Sequence, residues 1–169
     1  MINWPYAQLL INHFPVVLSV CALVIALLAV VVNRRGLWLT AMAALAIAGA
    51  FVYPVHFTGD KAGEALERAW YIRPGAIEAH DDAALVAMIV ILIVGVFAAY
   101  GFWLSLKRPA DAIPAWIRNC VLVGALAAVG TVTYTAYLGG KIIHESPVIE
   151  LPSPPPGMTP SAATETVNP

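Results

Sequence analysis

Charge is what this 169-residue sequence has least of: only 11% of its residues are Asp, Glu, Lys or Arg, where an ordinary soluble domain carries about a quarter. There is no basic block and the net charge is -1, which excludes the electrostatic footprint of a nucleic-acid-binding protein. Neither GxGxxG nor GxxxxGK[ST] occurs, so no glycine-rich phosphate loop marks a nucleotide enzyme. HExxH and CxxCH are missing as well, which removes the compact signatures of a zinc protease and of covalent haem attachment. Cys21 lies about two turns into the first apolar run and Cys120 opens the fourth, and in an antiparallel bundle those two runs begin on opposite sides. With a helical rise of about 1.5 Å per residue they lie at different depths, too far apart for a disulfide, and they read as two buried thiols acting as small apolar side chains.

What is abundant is apolar surface. Hydrophobic residues make up 60% of the chain and the mean hydropathy is +0.80. Four stretches carry no charge at all: 14–32, 37–57, 83–106 and 119–140. Each is long enough to cross a bilayer as a helix of about 20 residues. Together they take up half of the chain and leave no room for a soluble catalytic domain. The expected fold is all-α: an integral-membrane antiparallel four-helix bundle over residues 1–145, with spans at about those four stretches.

Loop charge orients the bundle. The short loops 33–36 and 107–118 hold Arg34, Arg35, Lys107, Arg108 and Arg118, whereas the much longer remainder of the non-spanning chain holds only Lys61, Arg68, Arg73 and Lys141. The positive-inside rule then puts the two short loops in the cytoplasm and both termini outside, the arrangement of a protein of the bacterial inner membrane with periplasmic ends. No base precedes the first apolar run and Arg34 and Arg35 follow it, which suits a signal-anchor better than a cleaved signal peptide. Nine of the ten acids fall on the outer side.

The outer loop 58–82 has its own pattern. Ala62, Ala65, Leu66, Ala69 and Trp70 recur at helical spacing opposite Asp60, Lys61, Glu64, Glu67 and Arg68, predicting a short amphipathic helix on the bundle or membrane surface. Residues 146–169 contain seven of the thirteen prolines and form a Pro-rich tail, extended or disordered, or else a strap on a partner subunit. Small residues crowd 41–50 and 124–130; they allow close helix approach or room for a flat prosthetic group.

Ionisable residues near hydrocarbon are functional suspects, and here these are His13, His56, His80 and His144. Each predicted span carries one of them at its outer end, all within roughly 6 Å of one plane when sequence offsets are converted by the helical rise. Sidedness alone carries little, since most of the non-spanning chain is outside. One histidine per helix carries more, because helix bundles build cofactor sites from facing helices. On the fourth span Gly130, Thr133, Tyr134, Tyr137, Gly140, Lys141 and His144 form a small or polar stripe, and on the second Gly49, Tyr53 and His56 do the same. Tyr53, Tyr134 and Tyr137 are either hydrogen-bond partners for imidazole or members of the aromatic belt; Trp4, Tyr6, Trp38 and Trp103 read as belt.

Three chemistries use such a cluster. Haem b takes imidazoles as axial ligands, with Arg68, Arg73 and Lys141 for its propionates. A Zn or Cu ion would be held by His13, His80 and His144 with Asp81, Asp82 or Glu145. A proton relay would exploit imidazole's titration near neutrality without any cofactor. The structural alternative is that these histidines cap helices or sit among lipid headgroups.

Together, His13-Phe14-Pro15, Thr58-Gly59 with Ala62, Ile77-Glu78-Ala79-His80 and Gly139-Gly140-Lys141 give the sequence, over about residues 7 to 145, a form that resembles domain-of-unknown-function family 2231. The resemblance implies a four-helix membrane bundle of the kind associated with respiratory or redox gene products, with no established activity. It places weight on His13, His80 and His144 at the motif positions; His56 lies outside them. The expectation is a membrane electron-transfer subunit binding haem b, partnered by other membrane subunits or by further copies of itself, with a soluble cytochrome at the acidic outer face. The alternatives are a cofactor-free accessory subunit and a Zn- or Cu-binding membrane protein.

Overall fold

The computed structural model describes residues 3–66, 75–108 and 112–144, with side chains over 3–64, 75–108 and 112–142. These residues form five helices: α1 (Trp4–Ile11), α2 (His13–Val32), α3 (Arg35–Leu66), α4 (Ala76–Lys107) and α5 (Ala115–His144). Helices α2 to α5 pack as a closed four-membered ring in chain order, α2 lying against both α3 and α5, while α1 lies chiefly against α3. No strand occurs among the described residues.

Local sequence explains where the helices start and stop. α1 is capped by Asn3, whose Oδ1 accepts from the Tyr6 amide at 3.1 Å, the usual way an orphan first-turn donor is satisfied. It breaks at Asn12 because Pro15 has no amide to give the Ile11 carbonyl and its ring crowds that carbonyl. The break is slight: Asn12 keeps right-handed helical angles, so 4–32 forms one long apolar rod. α2 ends at Asn33, which adopts the left-handed conformation (φ 51°, ψ 39°) that asparagine tolerates better than most residues.

The amphipathic outer helix expected over part of 58–82 is not a separate element where the structure describes it. α3 runs unbroken to Leu66 through Pro54, so residues 58–66 extend the second apolar segment. Gly59 stays helical against Gln8 of α1, and Gly63 against Ile77 and Asp81 of α4. Tertiary contact thereby overrides weak local propensity. Arg68, Trp70, Arg73 and the Pro-rich tail lie outside the described residues.

The centre of the bundle is built from small side chains. Ala22, Ala26 and Ala29 of α2, Ala41 and Ala48 of α3, Ala98 of α4, and Ala125 and Ala128 of α5 are buried, with Met42, Leu45, Ile91, Ile117 and Val121 filling between them. α3 and α4 approach closely, since a Cβ added to Gly95 would stand 2.7 Å from the Gly49 Cα. The large aliphatics point outward, among them Val24, Val31, Ile93, Val96 and Val123. Four helical segments, 4–32, 35–64, 76–107 and 115–142, are long and apolar enough to cross a membrane. An apolar exterior around an alanine-rich interior is the pattern of helices that pack in lipid, and far exceeds the apolar patches of water-soluble monomers.

Two expectations about side-chain direction are corrected here. Cys21 and Cys120 are free, as expected of residues at different depths, but both lie on the exposed outer surface rather than in the interior. Trp38, assigned to the aromatic belt, is only 4% exposed and belongs to the core with Ala29 and Ile117.

Candidate functional site

At the end of the bundle formed by the start of α2, the last third of α3, the start of α4 and the last third of α5, the helices diverge around a cavity of about 240 Å³. Its floor and walls are apolar: Val16, Val52, Ala84, Met88, Ile91 and Val132. Its rim is polar, with His13, His56, His80, Asp60 and Asp81, and with Gln8 and Asn12 contributed from α1 and its junction with α2. Thus three of the four histidines, from three helices, border one chamber.

Each of these rings turns the same nitrogen toward the protein. His80 Nδ1 lies 3.0 Å from the Thr135 carbonyl, which can only accept, so Nδ1 carries the proton and Nε2 is left as the basic atom when the ring is neutral. His13 Nδ1 faces the Leu9 carbonyl one turn earlier at 3.3 Å, with the same consequence. His56 Nδ1 stands 3.8 Å from Asp60 Oδ1, beyond hydrogen-bond length but oriented in the same sense. Histidines that ligate through Nε2 are typically held in this way, by donating the other ring N–H to a carbonyl or carboxylate.

The α4–α5 side is the best braced. Thr135 Oγ1 donates to the Ala83 carbonyl at 3.1 Å while its own carbonyl receives His80, so two hydrogen bonds cross the interface within one turn. Gly139 lets the imidazole approach α5 closely: a Cβ there would come within 3.0 Å of His80 Cε1. On the opposite side the Thr58 hydroxyl donates to Gln8 Oε1, tying α1 over α3. Asn12 Oδ1, on the cavity wall, is buried with no hydrogen-bond partner among the described residues.

The expected inward stripes are corrected. On α5, Thr133, Tyr134 and Tyr137 are exposed, both tyrosines at 59%, and Gly130 faces open space; the inward register is Val121, Ala125, Ala128, Val132, Thr135 and Gly139. On α3, Gly49 and His56 do face inward but Tyr53 is 64% exposed; Val52, Gly59 and Gly63 complete that face. Tyr53, Tyr134 and Tyr137 therefore stand on the belt side and not beside the imidazoles, because burying a phenol needs room that an alanine-packed interface does not provide. Lys141 lies over the Tyr137 ring at 5.1 Å and does not line the cavity.

Among the described residues no three His, Cys, Asp or Glu side chains converge closely enough to hold a metal ion, so His13, His80 and Asp81 do not form the expected ion site by themselves. His144 ends α5, and its side chain, like Glu145 and Arg73, lies outside the described set. Asp60, Gln8, Asn12 and Thr135 were not anticipated. Asp60 sits four residues after His56 and so shares its helix face; the other three carry no signal in the sequence until the helices are docked. Comparison with known families, characterised proteins and solved structures returns no match for this chain.

Proposed function

We propose that the histidine-lined end is the working part of an integral membrane protein of the bacterial inner membrane, oriented with that end and both termini outside. There it holds haem b through two imidazoles drawn from His13, His56, His80 and His144 and passes single electrons within a larger redox assembly. The observation that supports this reading is that three imidazoles from three helices border one apolar-walled chamber, two of them, His80 and His13, with Nδ1 hydrogen-bonded to a carbonyl oxygen. Haem b would supply the one-electron chemistry, and the chain would supply ligands, an apolar slot and electrostatics. His80 is the best-prepared ligand, since its ring is fixed by the Thr135 carbonyl and seated on Gly139. The motif residues resembling family 2231 point the same way.

The fit has one definite demand. At about 240 Å³ the cavity is just below the roughly 300–1,000 Å³ of chambers that enclose small molecules, so a macrocycle requires the histidine end to widen, with α1 as the wall to be displaced. That same volume favours the second reading, a cofactor-free accessory subunit. The optical spectrum of the purified full-length protein separates them. A Soret band with a sharp α-band on reduction, both lost in His80→Ala, is the expected result. A folded protein with no visible absorption and no bound Zn or Cu by elemental analysis overturns the cofactor reading and leaves the accessory subunit.

A further inference from the structure

We infer a second binding site, for the phosphate of an anionic phospholipid, at the opposite end of the bundle where α2, α3 and α5 meet. It rests on the helices spanning a bilayer and is independent of the histidine end. The Trp38 side chain is buried, with only 4% exposure, yet its Nε1–H has no acceptor among the described residues. Arg118 approaches the same indole, its Cζ 6.0 Å from the ring centroid. One terminal nitrogen of Arg118 donates to Asn33 Oδ1 at 3.3 Å, but its Nε is buried and also without an acceptor. Among the described residues, a guanidinium N–H and an indole N–H, both donors only, therefore lack acceptors, the guanidinium carbon standing over that indole ring. Buried donors are rarely left unmade, because each costs about 1–3 kcal/mol.

Charge identifies what would satisfy them. This end carries Arg34, Arg35, Lys107, Arg108 and Arg118 against a single acid, Asp111. Arg34, next to Asn33, is exposed, and Arg35 is turned toward α4 by the Ser105 carbonyl. An acceptor that is anionic, offers several oxygens and arrives from the membrane side matches two donors and a surplus of positive charge; a lipid phosphodiester has all three properties. The acyl chains would then lie along the exposed apolar surface of Val30 and Val31.

Native mass spectrometry of the full chain in neutral detergent, titrated with phosphatidylglycerol, phosphatidylcholine or inorganic phosphate, tests the site. Phosphatidylglycerol is expected to bind preferentially. Arg118→Gln should weaken it by about tenfold or more, the size of a lost charge-assisted hydrogen bond, and Trp38→Phe, which keeps the ring but removes the N–H, by a few-fold. Lys107→Gln removes one charge from the same rim, next to Trp103, and should leave binding within twofold. If Arg118→Gln does not fold, Trp38→Phe decides. Equal binding of the two lipids, equal loss in Lys107→Gln and Arg118→Gln, competition by inorganic phosphate, or no change in Trp38→Phe overturns the site. Release of the chain from membranes by alkaline carbonate would instead overturn the bilayer reading itself.

Discussion

The contact between Gly49 and Gly95 allows the packing argument to be tested quantitatively. A methyl group at position 95 would stand 2.7 Å from the Gly49 Cα, 3.1 Å from the Leu45 carbonyl oxygen and 3.2 Å from the Gly49 nitrogen, where ordinary contact is 3.4–4 Å. All three atoms are backbone, so no rotamer change relieves the clash and the helices must part by about 1 Å. Overpacking of this kind costs about 1–3 kcal/mol, and the rigidity of both partners puts Gly95→Ala at the upper end. Alanine also favours the helix by about 1 kcal/mol, which would mask part of the loss. Gly130→Ala supplies the reference: the same exchange, in α5, with nothing within 4 Å. The difference in unfolding free energy between the two variants cancels propensity and isolates the clash, at about 3 kcal/mol. Unfolding in mixed dodecyl maltoside and SDS micelles, followed by circular dichroism, measures it. A gap under about 1 kcal/mol would refute the claim that glycine is needed at this crossing for backbone contact.

Two further substitutions probe the polar groups. Ser19 is fully buried and its hydroxyl has no partner among the described residues, so Ser19→Ala should raise stability by about 1 kcal/mol in the same micelle assay, a buried orphan being removed; a loss of stability would mean the hydroxyl has an acceptor after all. Gly139→Ala places a Cβ 3.0 Å from His80 Cε1 and 3.2 Å from Nδ1, so the ring must retreat by a few tenths of an ångström from the Thr135 carbonyl. Nitrogen-15 spectra should show His80 losing its preference for the Nδ1–H tautomer, and an unchanged His80 signal would contradict the bracing role given to Gly139.

The four long helices were legible because charge-free runs such as 83–106 carry their own length signal, matching the bilayer without help from periodicity. Orientation about each helix axis was not. In water the apolar face of a helix points inward, so periodicity reveals it; here both faces are apolar, and volume rather than polarity divides them. On α5 the buried positions are Val121, Ala125, Ala128 and Val132, and the exposed ones include Val123, Leu126, Tyr134 and Tyr137. Reading polarity as inwardness therefore selected the tyrosines, when small size was the inward signal. His56 illustrates the reverse case: the family resemblance gave it no weight, yet its place one turn beyond Val52 on the buried face of α3 brings it to the cavity with His13 and His80.

Length explains why a polar chamber can exist at one end and not in the middle. α3 and α4 each have 32 residues, about 48 Å of helix, against a hydrocarbon core of about 30 Å. In a bilayer, as proposed above, their ends would project into the headgroup layer, where water and polar lipid groups would solvate Asp60, Asp81 and the imidazoles. Deeper in, the same groups would each carry a large desolvation cost, and there the bundle is sealed by Ala48, Gly49, Gly95 and Ala128. Divergence begins immediately above that seal: Val52 and Ile91, each one turn from a crossing glycine, are already cavity wall. The tight crossing and the open chamber are thus two consequences of one choice of residue size along α3 and α4. A methyl group at position 95 that parts these helices should enlarge the chamber as well as weaken the bundle.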